Sequence, residues 1–110
     1  MAQQIIERFI RNSVKEVSVE YIMNVVCDYF SIPLETLSQN TRKHQVVQAR
    51  QIAMYFSKKY SKASLAIIGQ QCGGKDHATV HHACKTVSDR IDTDKQFKAM
   101  MTEIEKKILI

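Results

Sequence analysis

The sequence predicts an all-α domain of about five to six helices. Apolar residues recur at three- and four-residue spacings over most of the chain, the period that gathers them on one side of a helix. Residues suited to capping helices stand just ahead of several of these runs, at Ser18, Ser64 and Asp76. No segment of convincing length alternates apolar and polar side chains as a half-buried strand does.

Each element follows from its own residues. Over 3 to 16, Ile5, Ile6, Phe9, Ile10 and Val14 fall on one helical face and Glu7, Arg8, Arg11 and Lys15 on the other, predicting an amphipathic first helix. Ser18 is placed to cap a second helix over about 19 to 30, with Val17 and Ile22 as a hydrophobic staple. Pro33 at a first helical position, with Glu35 near the positive end of the dipole, predicts a short helix over 33 to 38. Ser38 to Gln45 lacks apolar periodicity and reads as an exposed basic loop that carries Arg42 and Lys43. Val46, Ala49, Ile52, Ala53, Phe56 and Tyr60 then mark a long core helix over 46 to 60.

Ser64 should cap a short helix from Leu65 to about Cys72, stopped by Gly73 and Gly74, which adopt left-handed backbone without a steric penalty. Asp76 should cap the next helix, running to about Ile91 with Val80, Ala83, Cys84, Val87 and Ile91 buried. On that wheel Ala78, His81, His82 and Lys85 point away from the core. Thr93 and Gln96 stand at the spacing of a capping box for a last helix.

Composition narrows the function classes. A chain of 110 residues with 45% hydrophobic content supports one core and no second domain of comparable size. No stretch approaches the roughly 18 uninterrupted apolar residues of a membrane span, and the N-terminus lacks a secretory plan, so a cytoplasmic protein is expected. Cys27, Cys72 and Cys84 are odd in number and have apolar neighbours, as reduced core thiols would. The formal charge is +5, but residues 41 to 90 hold nine Lys or Arg against two acids, so the positive field is confined to the middle of the chain. A polyanion is the natural partner.

A short helix, a glycine-rich turn and a second helix form the unit by which many domains set one helix into the DNA major groove. The second helix starts inside the basic stretch with side chains able to read bases. Asp76 can accept from a cytosine amino group, His77 can donate to a base or phosphate, Thr79 offers a hydroxyl, and the Ala78 methyl can pack on a thymine methyl. Two other motifs fail. Gly69 to Lys75 has the spacing of a phosphate-binding P-loop, but Asp76 stands where Ser or Thr must ligate magnesium. His77 and His81 have the spacing of helical metal ligands, yet Cys84 belongs to the core stripe and no Glu follows His77, so no metal site is expected.

The run Ser64-Leu65-Ala66-Ile67-Ile68-Gly69, followed by Gly73-Gly74-Lys75-Asp76-His77-Ala78-Thr79-Val80-His81-His82-Ala83-Cys84-Lys85, resembles the signature of the C-terminal DNA-binding domain of bacterial DnaA replication initiators. The likeness extends back through Arg42 and Ala49 to Tyr55, so it covers roughly residues 17 to 110. It implies a Trp-repressor-like helix-turn-helix domain over 17–110, preceded over 1–16 by a linker helix toward an ATPase domain absent from this chain. It further implies recognition of DnaA boxes in double-stranded DNA at a replication origin, on the bacterial nucleoid, in concert with other DnaA copies. ATP and magnesium would belong to the full-length family protein. No cofactor and no catalysis are expected of this chain.

Carried over position by position, the resemblance puts Asp76 and His77 in the major groove, with Leu65 and Ala66 against thymine methyls. It puts Arg42 in the minor groove, and Lys43, Arg50, Gln51, Lys58 and Lys75 at or near phosphates. Ala78 departs from the threonine common there, which removes one base contact, and His44 replaces a residue that is often basic. An alternative reading is a protein-interaction or membrane-surface module, resting on the amphipathic first helix. The family resemblance likewise implies acidic phospholipids as a partner for that helix.

Overall fold

The computed structural model describes residues 17–39 and 43–109, which form six helices and no strand. The expected linker helix over 1–16 and the minor-groove residue Arg42 lie outside the described residues. The helices are α1 (Val19–Phe30), α2 (Leu34–Leu37), α3 (His44–Tyr60), α4 (Leu65–Gln71), α5 (His77–Thr93) and α6 (Lys95–Leu109).

Local chemistry sets most of the boundaries. Ser18 Oγ accepts from the Tyr21 amide at 3.1 Å and starts α1, with Val17 half-buried against the core and Ile22 fully buried within it. α1 ends on Ser31, a non-glycine residue in left-handed conformation (φ 57°), where the Ile32 amide closes back on the Cys27 carbonyl at 2.9 Å. Pro33 sits one position earlier than expected, as the N-cap of α2 rather than its first residue.

Two other boundaries differ from the sequence reading. α3 begins at His44, so His44 and Gln45 leave the basic loop. Gln45 Nε2 donates to the Phe30 carbonyl at 3.2 Å, which ties this first turn to the end of α1. α6 is capped by Asp94 instead of Thr93: Asp94 Oδ1 accepts from the amides of Gln96 and Phe97 at 3.0 and 3.1 Å. Thr93 remains the last residue of α5, its hydroxyl donating to the Asp89 carbonyl four residues back.

The long helix α3 is the hub, packed by α1 on one side and α5 on another, with α4 against α5 and α6 across α5 and α1. Ile22, Val26, Leu37, Ile52, Met54, Phe56, Ile68, Val80 and Ile104 are all but sealed from solvent at the junction of these helices. The three cysteines are free and buried, in accord with their reading as core thiols. Burial pushes the Cys72 thiol up to about 11, so it stays protonated and unreactive. No described helix is long and apolar enough to cross a membrane.

Candidate nucleic-acid interface

The turn between α4 and α5 is built by close backbone approaches. Ser64 Oγ accepts from the Ile67 amide at 3.2 Å and opens α4. At the other end the Gly74 amide donates to the Gln70 carbonyl at 3.2 Å and the Lys75 amide to the Gly69 carbonyl at 2.9 Å. A Cβ on Gly69 would lie 2.2 Å from the Lys75 carbonyl oxygen and 3.1 Å from Val80 Cγ2, so only glycine lets the turn fold back onto α4. Gly73, at φ +110°, presses on the loop after α2, where a Cβ would stand 2.6 Å from the Ser38 carbonyl oxygen. These contacts consume the Gly74 and Lys75 amides. The P-loop-like spacing over 69–76 thus forms a helix and a closed turn, with two of its amides turned inward.

Asp76 then begins α5. Its Oδ1 accepts from the Thr79 amide at 2.9 Å, and this bond, followed by one from the Thr79 hydroxyl, holds the Asp76 carboxyl below its ordinary range. The carboxylate is therefore firmly ionised, and the Thr79 amide closes the cap. Asp76, His77, Ala78 and Thr79 are all exposed, while Val80, Ala83, Cys84 and Val87 hold the opposite side of α5 in the core. Ala66 is exposed near the start of α4; Leu65 is half-buried and divides its surface between core and solvent.

The basic residues do not all face outward. Lys58 on α3 is exposed, Lys43 is exposed at the N-cap position of α3, and Gln51 and Lys75 are half-buried. Arg50 is the exception among them, only 7% exposed. Its Nε donates to the Leu37 carbonyl at 2.9 Å and its Nη2 to the Gln39 carbonyl at 2.6 Å. Arg50 was expected near phosphate; in this placement two of its guanidinium donors serve the carbonyl of the last α2 residue and that of Gln39 just beyond the helix.

The structure also shows a feature that spacing alone did not single out. Between the C-terminal half of α3 and the middle of α5 runs an open groove of about 390 Å³, flanked by Tyr55, Lys58 and Lys59 on one side and His81, Lys85 and Ser88 on the other. Cys84 lies in it, its thiol donating to the Met54 carbonyl at 3.7 Å and pushed up by burial, against the pull of Lys58. The signal was present in the sequence, since His77, His81 and Lys85 recur every four residues on one helical face. Cys72 and Cys84 are buried whereas His77, His81 and His82 are exposed, and no group of three metal-binding side chains converges among the described residues.

Residues 19–87 match the family model for the bacterial DnaA protein helix-turn-helix. Among similar curated proteins, the chromosomal replication initiator protein DnaA of Flavobacterium psychrophilum is 56% identical over 98% of this chain and 23% of its own length. That of Bacteroides thetaiotaomicron is 46% identical over 96% of this chain and 22% of its own, and that of Chlorobaculum tepidum 37% over 99% and 22%. The chain thus spans less than a quarter of the length of these relatives.

Proposed function

This chain belongs to the bacterial DnaA helix-turn-helix family, and on that premise we propose that it binds double-stranded DNA with sequence preference at DnaA-box sites, the first turn of α5 entering the major groove. The observation that supports this reading is the arrangement of that turn. Four consecutive exposed residues, Asp76 to Thr79, are fixed by a cap on one side and by the buried face of α5 on the other. A rigid first turn loses little freedom on docking, so its contacts count almost fully toward discrimination.

Each residue has a defined chemical task. The ionised Asp76 accepts from a cytosine amino group, His77 donates to a base-edge acceptor, and the Ala78 methyl packs on a thymine methyl, with Ala66 offering a second such contact. The exposed Thr79 hydroxyl offers both a donor and lone pairs to a base edge. Lys43, Lys58 and Lys75 supply the phosphate contacts that set register and carry most of the salt-dependent affinity. In this proposal Arg42 reaches the adjacent minor groove. Service at a replication origin, within a longer protein whose other parts bind ATP, completes the reading.

Titrations of the chain on a duplex bearing a DnaA box and on a scrambled duplex test it. His77→Ala should cost about 1 to 3 kcal/mol on the box and far less on the scrambled duplex. Lys58→Gln should weaken both alike and flatten the slope of log affinity against log salt by roughly one unit. Equal losses for His77→Ala on the two duplexes would remove the base-reading assignment.

A further inference from the structure

We propose that the groove between α3 and α5 seats the DNA backbone at the rim of the major groove, with His81 and Lys85 of α5 facing Lys58 of α3 across one strand. The proposal rests on the DNA-binding reading above and extends it to residues outside the first turn of α5. His77, His81 and Lys85 lie on one face, and at 1.5 Å per residue His81 stands about 6 Å and Lys85 about 12 Å along the axis from His77. The major groove is about 8.5 Å deep and 12 Å wide. With His77 at the base edges, His81 and Lys85 come level with the sugar-phosphate wall.

The charges around the groove fit an anion. Lys58, Lys59 and Lys85 flank it with His81, and none of its lining residues is acidic. Such a concentration of like charge disfavours the unliganded protein and is relieved by a bound polyanion. Two acids stand nearby, and they differ in effect. Glu105 holds Lys59 at 2.8 Å, which leaves that lysine to the α3–α6 contact. Asp89 meets Lys85 at 3.7 Å on the same helix, with the two side chains 69% and 67% exposed in the order Lys85 and Asp89. So exposed a pair is weak, and a phosphate oxygen readily displaces it. The Tyr55 and Ser88 hydroxyls add donors at the edges, and the protonated Cys84 thiol brings no opposing charge.

The test is a salt series with Lys85→Gln in the full 110-residue chain, on the DnaA-box and scrambled duplexes, with thermal melts alongside. One lost phosphate contact should lower the salt slope by roughly one unit and weaken binding about five-fold at 0.15 M salt on both duplexes, the factor a slope of −0.9 gives relative to 1 M. Lys85→Arg should restore most of the loss. A methylphosphonate scan of the box duplex should reveal one rim position whose neutralisation weakens the parent chain but not Lys85→Gln. An unchanged slope for Lys85→Gln, or a loss confined to the box duplex, overturns the proposal. Because His77→Ala reads bases and Lys85→Gln reads backbone, an unchanged Lys85→Gln beside a box-selective loss in His77→Ala refutes the groove alone. Negligible binding by the parent chain refutes both readings.

Discussion

Replacing Arg50 distinguishes a structural clamp from a phosphate ligand, because the two roles move different observables. Its guanidinium donates to the Leu37 and Gln39 carbonyls at 2.9 and 2.6 Å from a side chain that is 7% exposed. Hydrogen bonds from charged groups contribute about 1.5 to 3 kcal/mol each. The Gln39 carbonyl belongs to an exposed residue and regains water after truncation, so its loss falls at the bottom of that range or below. Leu37 is fully buried, and its carbonyl is left without this donor, at about 1 to 3 kcal/mol. Arg50→Ala should therefore cost about 3 kcal/mol, or roughly 12 to 24 °C in Tm for a domain of this size. Arg50→Lys keeps the charge but presents a single nitrogen to two carbonyls, and should recover less than half. The assay is thermal unfolding followed by far-ultraviolet circular dichroism, beside a salt series on a scrambled duplex. A Tm within 3 °C of the parent, together with a salt slope lowered by about one unit, would refute the clamp and restore the phosphate role.

Gly69→Ala should destabilise by about 2 kcal/mol or more, since its methyl would lie 2.2 Å from the Lys75 carbonyl oxygen. Gly74→Ala meets open space and carries only the left-handed penalty of about 1 to 2 kcal/mol, which Gly74→Asn should largely avoid; urea titrations rank the three. Ser57 is fully buried, and among the described residues its hydroxyl has no hydrogen-bond partner. Ser57→Ala should thus raise Tm by several degrees, and a fall would show that the hydroxyl is satisfied in solution. Asp76 titrates below its ordinary value of 3.8 because the folded state binds its charged form, so this stabilisation is present above that value and lost as pH falls through the depressed folded value. In acid unfolding the parent should lose more stability below about pH 4 than Asp76→Asn, and superimposable acid limbs would contradict the cap.

How far the site can be read from the chain depends on whether its geometry is local. The caps at Ser18, Ser64 and Asp76 were legible because a side-chain oxygen and an amide three residues on lie within one turn, so sequence spacing is spatial spacing. Arg50 was not legible as a buried residue, for the opposite reason. On the α3 wheel it falls on the stripe of Val46, Ala53 and Ser57, all buried, which argues for burial. The rarity of buried arginine argued against it. What decided the matter was a pair of carbonyls from 11 and 13 residues earlier, brought within reach only by tertiary packing. Gly69 shows the same limit in the backbone. Inside a helix a glycine reads as a defect costing about 1 kcal/mol against alanine. Here its missing Cβ is the space into which the Lys75 carbonyl closes. Gly73 and Gly74 announce a turn to any reader of the sequence, but how closely that turn closes on α4, and hence where α5 starts, is set by the glycine that resembles a flaw. A Gly69→Ala chain that retains its helices and its Lys58-dependent salt slope while losing preference for the box would separate turn closure from folding. If it keeps full preference, the aim of α5 does not depend on that contact.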